Sequence, residues 1–178
     1  VTPDELLETW IAEERAVLER VDAGPGPGLA SPHEIAGKSG LEIMQAMLLG
    51  QIPYAEMART LTFGAIAVHR GVAIFQGTPR REHLNPMGTV HGGWISTVLD
   101  SALGSAILTA LPAGHGYATA ELTVKYLKGL TPRVGRVRAE ARITEHRGRV
   151  ALAKARLVGP DGAIYARART ECRVFSAT

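Results

Sequence analysis

Apolar residues recur at helical spacing over residues 3–23, where Leu6, Trp10, Val17 and Val21 share one face and glutamates and arginines fill the other. Pro3 suits the first turn of that helix, and Gly24-Pro-Gly-Pro-Gly28 ends it in an extended linker. A second short helix is predicted from Gly40 to Leu49, with Leu41, Met44 and Met47 or Leu48 on one side. Both apolar faces need cover, so these leading segments are expected to pack on the main body.

The period changes at Leu61. Leu61 to Val68 and Val72 to Gly77 are short β-rich runs joined by His69-Arg70-Gly71, which reads as a hairpin. A glycine-rich segment follows, then an apolar helix from about His91 to Leu111, stopped by Pro112 and Gly114. Four more runs come after it: Tyr117 to Leu127, Val134 to Glu145, Val150 to Val158 and Ala163 to Phe175. Arg136 to Ile143 alternates base or acid with apolar residue, as a strand with one wet face does. Arg147-Gly148-Arg149 and Gly159-Pro-Asp-Gly162 are turn signals between successive strands. With no helix among the last four runs, the pattern predicts an α+β fold: an antiparallel sheet around one principal helix.

Composition narrows the class. The 178 residues are 46% hydrophobic and 21% charged, which fits a globular chain with a proper core. A single cysteine, Cys172, excludes an internal disulfide and fits a reducing, cytoplasmic compartment. The acidic start lacks a signal-peptide pattern, and the best apolar run is interrupted by Asp100, so no membrane span is expected. Net charge is +3 but uneven: 13 Lys/Arg against 4 Asp/Glu from Leu122 onward, 7 against 13 before it. With only 5% aromatics and no basic recognition helix, nucleic acid is not the expected partner; most of the arginines read as the solvated face of a sheet.

The chemistry concentrates in Asn85-Pro-Met-Gly88-Thr-Val-His91-Gly92-Gly93, followed within the helix by Asp100. Glycines at a helix start let an oxygen ligand approach electropositive backbone N–H groups. A carboxylate in an apolar helix is costly to bury without a partner or a task. No Gly-x-Ser-x-Gly elbow surrounds Ser96, Ser101 or Ser105, and the six histidines lack metal-ligand spacing.

This segment, the helix carboxylate and the strand Thr119-Ala-Glu-Leu-Thr-Val-Lys-Tyr-Leu127 together resemble the signature of hotdog-fold acyl-CoA thioesterases of the phenylacetate-pathway (PaaI-like) type. The resemblance divides the chain into a helical extension, residues 1–58, and a hotdog thioesterase domain, residues 59–178. It implies a curved antiparallel sheet of about six strands wrapped around one long helix, paired into homodimers, or dimers of dimers, by edge strands. It further implies hydrolysis of a fatty or aromatic acyl-CoA with neither metal nor organic cofactor.

The resemblance also assigns roles. Asp100 would be general base or nucleophile, and Gly92 would donate its N–H to the thioester oxygen. Asn85 would hydrogen-bond the attacking water or the thioester, His91 would orient the glycine loop, and Thr119 would assist the carboxylate. From the residues alone, Asp100 also reads as a buried partner for an arginine, Gly92 as a packing glycine, Asn85 as a turn former and Thr119 as an ordinary strand threonine. Geometry adds a constraint. Gly92 and Asp100 lie eight residues apart, about 12 Å along one helix, whereas reacting atoms sit about 3 Å from their catalytic groups. Two antiparallel helices across a two-fold axis are therefore expected to share each site. Trp94, Val98, Leu103 and Met87 are the expected acyl-pocket lining, and Lys128, Arg133, Arg147 and Arg149 the nearest candidates for CoA phosphates. Two other readings remain: a hotdog enoyl-CoA hydratase or dehydratase, weakened by His83 and Gly88 where that pattern has an acid and a histidine, and a non-catalytic acyl-CoA-binding module.

Overall fold

The computed structural model describes residues 1–176. Four helices come first: α1 (Pro3–Asp22), α2 (Pro32–Ile35), α3 (Gly40–Leu48) and α4 (Glu56–Thr60). Then follow strands β1 (Phe63–His69) and β2 (Val72–Gly77), the helix α5 (Gly92–Leu108), and strands β3 (His115–Tyr126), β4 (Val137–Arg147), β5 (Val150–Val158) and β6 (Ile164–Ser176). The six strands form one antiparallel sheet in the order β1-β2-β4-β5-β6-β3, with α5 packed on it. This is the α+β architecture that the pattern predicts and the hotdog fold that the resemblance implies. Two short helices, α2 and α4, carry too few residues for a period to show and were not expected. Among the described residues no helix is long and apolar enough to cross a membrane.

The core forms between α5 and the sheet. Val98, Leu99, Ala102, Leu103, Ala106 and Ile107 of α5 are almost wholly buried. Beneath them the sheet presents alanines from three neighbouring strands, among them Ala141, Ala155 and Ala168, which are cross-strand partners. Small side chains there leave room for a long helix to lie close in the curve of the sheet. At the far end Thr109 ties helix to hairpin: its hydroxyl donates to Ala106 O at 2.8 Å and accepts the Gly71 N–H at 2.9 Å.

The leading helices hold to the sheet by specific contacts. Trp10 of α1 is buried beneath the Arg138 guanidinium, 4.5 Å from the ring centroid. Arg138 bonds Glu13 and Gln76, and Gln76 in turn donates to Trp10 O at 3.1 Å. Arg136 pairs with Glu14 at 2.8 Å. α3 begins at Gly40, where an added Cβ would lie 1.9 Å from Leu108 O, so only glycine permits this approach to the end of α5. α1, α3 and α4 also pack against β1, the strand at one end of the sheet.

Candidate active site

The loop before α5 is built by its own side chains. Asn85 Oδ1 accepts the N–H groups of Met87 (2.9 Å) and Thr89 (3.3 Å), and its Nδ2 donates to Thr89 Oγ1 at 2.8 Å. Gly88, at φ 85°, supplies the left-handed bend that lets Asn85 and Thr89 meet. The Asn85 side chain is thus a turn former in this structure, with one N–H left over.

His91 caps α5. Its Nδ1 accepts the Gly93 N–H at 2.9 Å, which places the hydrogen of the neutral ring on Nε2. The Gly92 N–H beside it has no acceptor among the described residues. Tyr126, from the last turn of β3, reaches over this helix start. Its hydroxyl donates to Gly92 O at 3.1 Å and lies 2.6 Å from Ser96 Oγ. A Cβ at Gly92 would sit 3.2 Å from that phenol, so glycine is needed here for close approach as well as for a bare N–H. Behind the loop, buried His83 stacks on Trp94 with centroids 5.4 Å apart; burial lowers its pKa and its Nε2 has no partner.

Two turns further along α5, Asp100 faces β3. Thr119 Oγ1 donates to Asp100 Oδ1 at 3.2 Å, and no ion pair reaches this carboxylate among the described residues. Partial burial raises the Asp100 pKa above the ordinary carboxylate value, while the Thr119 hydrogen bond pulls the other way. Cys172 lies behind Thr119 with Sγ 3.9 Å from its hydroxyl; burial pushes the thiol pKa up, so a resting thiolate is disfavoured. Tyr117, two residues before Thr119, packs its ring against Gly104, one turn beyond Asp100, and burial pushes its phenol to about 12.

The sequence-predicted residues therefore gather in two groups within one chain. Asn85, His91 and Gly92 form the helix start; Asp100 and Thr119 form a second group about 12 Å along the same helix. Tyr126 and Tyr117 were not expected at either group. The expected acyl lining is corrected. Trp94, Val98 and Leu103 are buried in the α5 core, because they occupy the helix face turned to the sheet, and Met87 is exposed at the loop tip. None of the four lines the cavity of about 480 Å³ that the structure does contain, which lies between the leading helices, β1 and α5. Among the described residues no group of three or more His, Cys, Asp or Glu is placed to hold a metal.

The family model of the thioesterase superfamily matches residues 87–166, from the glycine loop into β6. Over these residues the chain is similar to the thioesterase superfamily, and its hotdog fold is shared with PaaI-like proteins. A phenylacetic acid degradation-related protein of Ralstonia eutropha JMP134 is 26% identical, with TM-score 0.67 over 73% of this chain and 98% of its own. A mutant of the phenylacetic acid degradation protein PaaI of Thermus thermophilus is 25% identical, with TM-score 0.60 over 66% of this chain and 96% of its own. The Escherichia coli PaaI protein shares the fold at 20% identity and TM-score 0.63, over 68% of this chain and 86% of its own. No curated protein matches the sequence. Family and PaaI-like neighbours together support hydrolysis of acyl-CoA thioesters in general. These PaaI-like neighbours span almost all of their own length but leave about a third of this chain uncovered, the length of the segment ahead of β1.

Proposed function

We propose that this PaaI-like protein hydrolyses an acyl-CoA thioester to free acid and CoA, in a homodimer whose sites each combine the α5 start of one protomer with Asp100 of the partner subunit. The observation that carries the reading is the β3 edge. It is twelve residues long, its outer side pairs with no strand among the described residues, and it holds the Thr119–Asp100 contact on its helix side. A long open edge invites a second strand. Two copies joined there by a two-fold axis set their α5 helices antiparallel, so the Gly92 N–H of one faces the carboxylate of the other. A dimer of dimers keeps the same pairing. A CoA-ester substrate and a buried free thiol suit a reducing, cytoplasmic compartment.

The chemistry follows from the groups present. The free Gly92 N–H, at the positive end of α5, hydrogen-bonds the thioester oxygen as negative charge grows on it. Asp100, with its pKa raised by burial, takes a proton from a water whose oxygen attacks the carbonyl carbon. The carbon–sulfur bond breaks, and the departing thiolate takes up that proton. Thr119 is a positioning residue: its hydroxyl fixes one carboxylate oxygen and leaves the other for water. His91 holds the Gly93 N–H and so orients the glycine turn, and Asn85 shapes the loop with one N–H directed outward for water or substrate. Direct attack by Asp100 to give an anhydride uses the same placement, but the raised pKa favours the base.

Release of thiol from acetyl-, hexanoyl-, lauroyl-, phenylacetyl- and 4-hydroxybenzoyl-CoA by wild type and Asp100→Asn tests this. Hydrolysis lost in the variant, with CoA-ester binding kept, is the expected result. Turnover unchanged in Asp100→Asn removes the base. Binding without any thiol release points to a hydratase or to a binding module, separated by water addition to an enoyl-CoA.

A further inference from the structure

We propose that the leading helices make, with β1 and α5, a site for a straight fatty acyl chain of about twelve carbons. The proposal rests on the thioesterase reading for what delivers that chain. The cavity of about 480 Å³ falls in the range of small-ligand sites, roughly 300–1,000 Å³. Its wall is mostly hydrocarbon: Val17 from α1, Met44 and Met47 from α3, Phe63 from β1, Phe75 from β2 and Leu108 from α5. The space is partly open to solvent, so a ligand can enter it and cover its apolar wall. Unbranched methionines suit a flexible chain because they repack around it.

The position of the cavity names the occupant. On the side toward Asp100 its lining is Ser101, Ser105 and the Tyr117 ring, while Glu14, Arg59, Thr62 and Gln76 are polar residues elsewhere in its wall. Tyr117 rests on Gly104, four residues and one helical turn from Asp100, about 6 Å along the axis. Tyr117 and Thr119 thus stand side by side on β3, one against the cavity and the other bonded to the carboxylate. An acyl group whose carbonyl carbon lies at Asp100 has this space as its nearest apolar refuge. Three of the cavity's walls belong to α1, α3 and α4, which lie ahead of the stretch that the thioesterase-superfamily model matches. At ~30 Å³ per methylene, a liquid-like share that already includes packing space, the cavity of about 480 Å³ holds at most about sixteen carbons, so a chain of about twelve fits inside it.

Two readouts on the full chain separate this proposal from the activity it rests on. The first is calorimetric binding of hexanoate, decanoate and laurate. Affinity is expected to rise roughly fourfold per methylene up to laurate. Filling the cavity on walls other than α5, with Ala58→Leu on α4 or Ala65→Leu on β1, is expected to weaken laurate at least tenfold and leave hexanoate unchanged. The second is thiol release from the matching CoA esters and from phenylacetyl-CoA, where the filled variants are expected to shift the preference toward hexanoyl. Laurate bound no better than hexanoate, or a profile that neither filled variant alters, overturns the proposal even where thioesters are hydrolysed. Laurate binding lost on filling, without hydrolysis of any ester, supports the fatty acyl site and removes the thioesterase reading instead. Both variants sit on different elements, so misfolding of one, seen as a lost thermal transition, leaves the other to decide.

Discussion

β1 and β3 close the two ends of the same sheet, and they are treated differently. α1, α3 and α4 pack against β1, and the space left between them is mostly apolar. β3 is twice the length of β2, is exposed along Ala118 to Glu121, and carries Thr119 and Tyr126 against α5. Both ends face the general hazard of an unpaired strand. At the β1 end the chain packs its own helices; at β3 the backbone is left available, and the candidate chemistry lies directly behind it. The leading helices pack on the β1 side and the candidate carboxylate faces β3, with Ser101, Ser105 and Tyr117 between the apolar cavity and Asp100.

The sharpest way to break this contrast is at β3. Asp100→Asn is expected to lower turnover by about 10²- to 10⁴-fold, the usual contribution of a positioned base, read as thiol release with binding checked by calorimetry. Ala120→Pro attacks the edge without touching that base. Ala120 is the extra residue of a bulge and has no β6 partner, so proline is tolerated within the sheet but blocks pairing on the outer side. A folded monomer in sedimentation, with turnover down at least about 10²-fold, is expected if each site needs two chains; full activity in a monomer refutes the shared site.

On the β1 side the expected cost is stability. Trp10→Ala removes the ring beneath Arg138 and should cost about 3–5 kcal/mol, a fall in Tm on the order of 10 °C for a chain of this size. The mass in solution should not change, because α1 lies away from β3. Smaller again is Tyr126→Phe. Losing the bonds to Ser96 and Gly92 O, which hold the helix start in place, should reduce turnover by about tenfold, the value of roughly one hydrogen bond between neutral groups.

The smallest effect concerns pH. Burial raises the Asp100 pKa in the folded state, so the ionised carboxylate is a burden on the fold: stability is full while Asp100 is protonated and declines as pH rises through its folded pKa. Asp100→Asn should therefore melt slightly above wild type at neutral pH, with the gap closing on acidification below the ordinary carboxylate range. In wild type the acid limb of kcat/KM should lie above that range, since activity needs the ionised form.

Much of this was legible because it is local. The Leu6-Trp10-Val17-Val21 face and the period-two alternation of β4 marked helix and strand, and Gly148 and Gly162, both at positive φ, sit in the turns where the sequence placed them. Tyr126 was hidden for a specific reason. Side chains alternate along a strand, so the odd separation from Thr119 puts Tyr126 on the opposite face of a regular β3. The bulge at Ala120 re-phases the strand, and Leu122, Val124 and Tyr126 turn toward α5 with Thr119 and Tyr117. Nothing in the local residue types announces that shift.

The sequence by itself determined the three longer helices and the strands, the turns between successive strands, the helix start at His91-Gly92 and the single carboxylate two turns on. Each depends on neighbours within a few residues, where propensity, capping and period act. Tertiary structure alone decided which faces those elements spend on one another. Trp94, Val98 and Leu103 went to the core because the alanine-lined sheet drew that face of α5 inward. The apolar cavity arose instead where α1, α3 and α4 bridge to β1 without filling the gap. Burial, close packing and the phase of a bulged strand are sums over distant segments, and no window of the chain contains them.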